Sequence, residues 1–438
     1  MNTEDSRARR DTDEVIRLGG RHLFQNYRPL PVAFDRGQGV RLRDLEGNEY
    51  LDFIGGIAVS TLGHAHPALV EAIREQAGRC LHVSNLFHIP EQAEAGRLLT
   101  ETAGLDRAFF CNSGTEAVEA AVKLARRWGR ERVGTDAPEI VVTEGAFHGR
   151  TLGALAATAN PDYREPFEPL PGGFRRVPYD DLPAAREAMG PDTCAILVEP
   201  IQGERGVRVP SDDYLAGLEE LAGEHGALLV LDEVQTGIGR TGADFAFQRH
   251  GIRPDAVTAA KGLGGGVPVG ALLAREEAAA MLGPGHHAST FGGNPLAMAA
   301  VGAVLRTLGR SRLSERAAAM GERLRSGVEG LAAGGAPIHD VRGAGLLVGV
   351  DVGPPAGDVV RACLDRGLLV NAIGDDTIRL APPLIVASAE VDLGVELLGH
   401  ALADVGQGGT REPELDETSD ESHRDDSQSY GNEKNNDE

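Results

Sequence analysis

The sequence predicts an α/β protein: a large domain on a mainly parallel sheet flanked by helices, with a smaller α+β domain beside it. Two observations carry this. Short β-rich apolar runs alternate with longer helical patterns through the middle of the chain, the signature of parallel strands joined by crossover helices, and this alternation ends near Gly302. The length agrees, because 438 residues suffice for two domains of the usual ~100 to 200 residues.

Taken in order, the chain opens on residues dominated by Asp, Glu and Arg, and residues 1–20 are assigned to a flexible N-terminus, with an amphipathic stretch from Asp13 to Phe24 where order is expected to begin. A hairpin is expected from Val40 to Phe53 around Glu46-Gly47-Asn48, packing with the small domain. Residues 21–64 and 301–406 therefore form that domain and 65–300 the large one. The clearest strands are Arg107 to Cys111, Glu139 to Thr143, Cys194 to Val198, Ala227 to Leu231 and Ala256 to Ala260, with an apolar-periodic helix from Glu116 to Arg126. After Gly302 come a helix from Ser311 to Leu331, strands at Leu346 to Val352 and Leu368 to Asn371, and a last helix near Glu390 to Val405. Residues 407–438, rich in Asp, Glu, Ser and Asn, bury too little apolar surface to offset ordering and are assigned to a disordered acidic tail. No internal repeat is present.

Composition narrows the function. A net charge of -23 argues against nucleic acid and anionic membrane as partners, because both select basic surfaces. The apolar runs fall far short of the ~20 residues that span a bilayer, and the first residues show no apolar stretch before a cleavage site, so a cytoplasmic location is expected. Cys80, Cys111, Cys194 and Cys363 lack CxxC spacing and are read as buried thiols, with neither a disulfide framework nor a zinc site. Only Lys123, Lys261 and Lys434 are lysines. A guanidinium stays protonated and forms no stable imine with an aldehyde, so arginine cannot replace lysine where a nucleophilic amine is needed. Lys434 lies in the tail and Lys123 on a helix, leaving Lys261. The acidic surplus and the preference for arginine fit either a salt-adapted surface or a genome rich in arginine codons.

Ligands bind beyond the carboxyl ends of parallel strands, and the residues following each strand here are polar or small: Asn112-Ser113-Gly114-Thr115, Glu144 to His148, Glu199-Pro200, Asp232-Glu233 and Lys261-Gly262. The first group precedes a helix whose free N-H groups and positive dipole end suit a phosphate; an ordinary N-cap would use the same residues. Asp232 ends a strongly apolar strand, so its carboxylate needs a partner such as a protonated ring nitrogen, or else it caps a helix. Glu233 has no assigned role. Lys261 precedes a run of glycines that lets a bulky ring lie close to the backbone, and this run fits neither a Walker loop nor a dinucleotide fingerprint.

Phe110-Cys-Asn-Ser-Gly-Thr-Glu116, Phe147-His-Gly-Arg-Thr151, Val198-Glu-Pro-Ile-Gln-Gly-Glu204, Leu231-Asp-Glu-Val-Gln235, Ala260-Lys-Gly262 and Ser289-Thr-Phe-Gly-Gly-Asn294 together resemble the class III aminotransferases, and among these the acetylornithine branch most. The resemblance runs from about Tyr27 to Pro383. It implies a fold-type I transferase using pyridoxal 5'-phosphate as cofactor, carried on Lys261. It also implies that Ser113, Gly114 and Thr115 hold the phosphate, Phe147 stacks on the pyridine ring, Asp232 pairs with the ring nitrogen and Gln235 with the phenolic oxygen. Thr290 would reach the phosphate of a neighbouring subunit, which implies a homodimer with shared active sites. Thr115 stands where the family more often has alanine; its hydroxyl would add a phosphate contact or cap the helix.

For the substrates, Arg379, in Thr377-Ile-Arg-Leu-Ala-Pro-Pro383, resembles the family's grip on the α-carboxylate of glutamate, and Glu204 its switch, which cancels the Arg379 charge when a donor presents its distal amine. Arg150, with help from Tyr27, resembles the site for the donor's own carboxylate. The implied reaction moves an ω-amino group from N-acetylornithine or a similar small-molecule donor to 2-oxoglutarate, in arginine biosynthesis. Ornithine aminotransferases share the stretch around Asn26-Tyr-Arg-Pro-Leu-Pro31 but align a tyrosine with Ile57, which favours the acetylated donor or 4-aminobutyrate. An amino-acid racemase of the same class is the remaining alternative.

Overall fold

A computed structural model describes residues 11–407. The expectation of a disordered tail after 407 lies outside the described residues.

Seven strands form the central sheet, in the order Arg107–Cys111, Gly270–Ala274, Ala256–Ala259, Leu228–Asp232, Thr193–Val198, Glu139–Thr143, Phe174–Val177. All run parallel except Gly270–Ala274, which is antiparallel to both neighbours. The central strands are buried along their whole length, as expected where helices cover both faces and every side chain must be apolar or satisfied. The five strands expected from sequence are all present within a residue or two. Gly270–Ala274 and the edge strand Phe174–Val177 are additional.

Two further four-stranded sheets are present. One runs Phe34–Gln38, Arg41–Asp44, Glu49–Asp52, Leu368–Leu369 and the other Ile338–Ala344, Leu347–Val352, Thr377–Leu380, Asn371–Ile373. The expected hairpin is therefore present, and its second strand pairs in parallel with Leu368–Leu369, joining the N-terminal segment to the C-terminal part. Helices Leu313–Ala333, Ala356–Asp365 and Ser388–Gln407 pack together over these strands.

The amphipathic stretch expected from Asp13 to Phe24 is present as the helix Thr12–His22, capped where the Asp11 side chain accepts from the Glu14 amide. Pro295–Arg310 is one continuous helix that runs through position 300, started by Asn294 as N-cap and Pro295, and it packs on Pro67–Ala77 and Pro90–Ala103. Cys80 is only half-buried, whereas the other three thiols are buried. Among the described residues no helix is long and apolar enough to cross a membrane.

Candidate active site

The carboxyl ends of five parallel strands open into a cavity of about 460 Å³. On one wall the helix Gly114–Trp128 begins. Ser113 is its N-cap: the Ser113 Oγ accepts from the Glu116 amide at 3.3 Å, while Glu116 reaches back to accept from the Asn112 amide at 2.6 Å. The amides of Gly114 and Thr115 have no acceptor within the helix and border the cavity. A Cβ on Gly114 would stand 2.7 Å from a Val234 methyl, so glycine is needed for the helix to approach the loop after Asp232. Thr115 turns its hydroxyl to Thr151, 2.8 Å away. The capping expected as one of its roles falls instead to Ser113.

Opposite lies Asp232, only 4 % exposed. Its Oδ2 accepts from His148 Nδ1 at 2.7 Å, and its Oδ1 accepts from the Thr258 hydroxyl at 2.9 Å and the Val234 amide at 3.1 Å. The carboxylate is thus fully held, and it is no helix cap. Phe147 borders the same space, its backbone amide donating to Glu199 Oε2 at 3.0 Å. Burial, with the nearby Asp232 charge, pushes the Glu199 carboxyl well above its ordinary value.

Lys261 follows the strand Ala256–Ala259 in a short turn and takes φ 43°. A non-glycine residue there is strained, a feature that clusters at reactive positions. Burial lowers the pKa of its amine; Arg379 acts in the same direction, and Glu204, Asp232 and Glu199 oppose it.

At the cavity's far end Arg379 is 2 % exposed. Its Nη1 donates to Glu204 Oε1 at 2.6 Å and its Nε to Asn371 at 3.0 Å. Gln235 bridges the pair, its Nε2 donating to Glu204 Oε1 at 3.0 Å. A Cβ at Gly203 would lie 1.6 Å from Gln235 Oε1, so the glycine in Gln202-Gly-Glu204 makes room for this cluster. Burial pushes Glu204 up, but the Arg379 and Lys261 charges outweigh it and hold the carboxyl below its ordinary value. Arg150 behaves differently: among the described residues it has no ion-pair partner, and its guanidinium lies over the Tyr163 ring. Arg150, Glu204 and Arg379 also border an outer chamber of about 690 Å³, lined in part by Ile57.

Residues 23–402 match the family "Aminotransferase class-III". The chain belongs to the class III aminotransferases. It is 50% identical to the acetylornithine aminotransferase of Methanopyrus kandleri over 399 residues, 90% of this chain and 99% of that protein. Among solved structures, the acetylornithine aminotransferase of Elizabethkingia anophelis aligns with a TM-score of 0.82 at 37% identity, over 90% of this chain and 100% of that one. The ornithine aminotransferase of Toxoplasma gondii aligns with a TM-score of 0.88 at 34% identity, over 91% and 96%.

As a class III aminotransferase the enzyme uses pyridoxal 5'-phosphate, and the cavity fits it. Free helix amides would meet a phosphate, and the Asp232 carboxylate would meet a protonated ring nitrogen. Phe147 offers an aromatic face, and the one lysine bordering the cavity offers an amine. The structure gathers Ser113, Gly114, Thr115, Phe147, Arg150, Glu204, Asp232, Gln235 and Lys261 around this cavity, with Arg379 at its end. It does not bring Tyr27, which is 77 % exposed and lines neither chamber. Thr290 is exposed in a separate groove beside Asn85 and Phe87 and does not border the cavity.

His148 and Glu199 stand among the residues that follow the strands, but sequence reasoning assigned neither a role. The partner of His148 is 84 residues distant, and only the fold brings the two together. Glu233, left unassigned, accepts from the Thr236 hydroxyl and from the amides of Ala246 and Phe247; it holds that loop and does not border the cavity.

Proposed function

We propose that this aminotransferase takes the distal amine of N-acetylornithine, or a close ω-amino donor, and passes it to 2-oxoglutarate, serving arginine biosynthesis in the cytoplasm. The observation that supports this is the contrast between two arginines. Arg379 is neutralised by Glu204 at 2.6 Å, while Arg150 faces the outer chamber and, among the described residues, forms no ion pair. A donor entering with its carboxylate toward Arg150 presents its far amine to Lys261; glutamate, entering when Glu204 swings away, presents its α-carboxylate to Arg379.

Pyridoxal phosphate, when bound, supplies an aldehyde for the amine and a ring that withdraws electrons from the carbon losing its proton. Ser113, Gly114 and Thr115 hold the phosphate through backbone amides, Phe147 covers the ring, Asp232 holds the ring nitrogen protonated, and Gln235 serves the phenolic oxygen. The Lys261 amine would anchor the cofactor, and as a free amine it is placed to take the proton from the reacting carbon; its lowered pKa suits that task. His148 orients Asp232 through the 2.7 Å contact, and Glu199 orients Phe147 through its amide.

Ile57 supports the acylated donor over free ornithine, because it lines the outer chamber where the ornithine enzymes align a tyrosine. A homodimer belongs to the same reading: Thr290 lies in a groove flanked by exposed Leu86, Phe87 and Phe291, and contact there with a second copy brings Thr290 to the partner's phosphate. A donor panel with 2-oxoglutarate, following glutamate formation, tests the function. N-acetylornithine should be preferred over ornithine and 4-aminobutyrate, and preference for ornithine would overturn the reading.

A further inference from the structure

We propose that Tyr163 is a positioning residue that sets donor specificity by holding Arg150 in place. This rests on the reading of Arg150 as the group that takes the donor's carboxylate.

Arg150 is exposed, and among the described residues neither a hydrogen bond nor an ion pair fixes its guanidinium. A long side chain in that condition samples many rotamers, and each must be given up when a carboxylate binds. Two aromatic rings supply what polar contacts do not. The Arg150 Cζ lies 3.7 Å from the Tyr163 ring centroid and 5.6 Å from that of Phe147. The two rings stand edge to face, 6.4 Å apart at 88°, so the guanidinium lies within reach of both. A planar guanidinium stacks on an aromatic face while its N-H edge stays free for a bidentate carboxylate.

The placement of Tyr163 is itself determined locally. It sits in the helical turn Pro161–Arg164, started by Pro161 and capped where the Asn160 side chain accepts from the Asp162 amide. This turn lines the outer chamber together with Arg150 and Ile57. Among the described residues the Tyr163 hydroxyl makes no hydrogen bond to the polar cluster around Arg379 or to Asp232. Its effect should therefore appear only with ligands that carry a carboxylate at the far end.

The test uses the holoenzyme and its Tyr163→Leu, Tyr163→Phe and Arg150→Ala variants. Binding of N-acetyl-L-norvaline, which has the donor's carboxylate but no reacting amine, is measured by calorimetry. Single-turnover rates are followed with N-acetylornithine and with pentylamine, which lacks the carboxylate. Tyr163→Leu should weaken N-acetylnorvaline binding about 3- to 10-fold, the scale of a cation–π contact with its ordering effect, and should lower discrimination for N-acetylornithine over pentylamine by the same factor. Tyr163→Phe keeps the ring and should retain both values. Unchanged binding in Tyr163→Leu, with a loss in Arg150→Ala, would overturn the role of Tyr163 alone. Unchanged binding in Arg150→Ala would overturn the assignment of Arg150, and the role of Tyr163 with it. Equal losses with pentylamine and N-acetylornithine in Tyr163→Leu would show a general distortion and also overturn the proposal.

Discussion

Glu204 and Arg379 meet at 2.6 Å in the cavity, with Gln235 donating to the same Glu204 oxygen at 3.0 Å. A buried pair of this kind is costly to break from one side only, because it leaves the other charge without a partner. Glu204→Ala therefore leaves Arg379 as an open carboxylate site at all times. The half-reaction with the ω-amine donor should slow by ~10- to 100-fold, the scale of one charge-assisted contact, while the half-reaction with glutamate is spared or accelerated. Single-turnover absorbance measures the two separately, and equal losses in both would make Glu204 merely structural.

Asp232 separates binding from chemistry. Asp232→Asn keeps the shape of the site and its Thr258 contact, so the cofactor should stay largely bound, while proton removal slows by ~10² to 10³-fold, as when one preorganised electrostatic partner is lost. Turnover at saturating cofactor is the measurement, and an unchanged rate would remove Asp232 from the mechanism.

Glu233 gives a pH-dependent stability. Burial raises its carboxyl from an ordinary value of 4.5 to about 7 in the folded chain. Between those pH values the unfolded chain releases a proton that the folded chain keeps, so this group's contribution falls as pH rises from 4.5 to 7 and is constant above, by up to ~3 kcal/mol. Glu233→Gln does not titrate. The difference in melting temperature, native minus variant, should therefore shrink or reverse between pH 5 and pH 8. A difference independent of pH would show that the three donors to Glu233 hold it ionised throughout.

Net charge makes a prediction about salt. The residues after Gly408 include eleven acidic and three basic side chains, yet they carry only part of the charge of -23, so the remaining body is acidic too. Its self-repulsion opposes compaction at low ionic strength, and at ~1 M salt, with a Debye length of about 3 Å, that repulsion is screened. Most ion pairs here are at the surface and contribute little either way. On a chain ending at Gln407, the melting temperature should climb with added salt. A climb continuing into the molar range marks a salt-adapted enzyme, whereas a plateau above physiological salt assigns the arginine preference to codon usage.

How much of this was legible in the sequence follows from how local each signal is. Runs such as Ala227 to Leu231 announce buried strands because only β-rich apolar residues fill a two-faced sheet, and Lys261 stands out because lysine is nearly absent. Gly-Ala-Leu-Leu-Ala at 270–274 is equally good helix, and its strand state is set by pairing with Arg107–Cys111 and Ala256–Ala259 on either side. The helix Pro295–Arg310 runs through position 300 because its apolar face continues past it without interruption. The supports of the site, His148 under Asp232, Glu199 behind Phe147 and Tyr163 over Arg150, are pairings made across the fold. Thr115 shows the converse: its likeness to a phosphate contact came from the motif, while its hydroxyl is bound to Thr151, 36 residues on.

The central claim is that Lys261 carries the cofactor and moves the proton. Borohydride reduction of the holoenzyme followed by peptide mapping tests it most directly. The account predicts a pyridoxyl group on the peptide containing Lys261, and no label and no turnover in Lys261→Ala; label on Lys123, the other lysine in the described part of the chain, would contradict it.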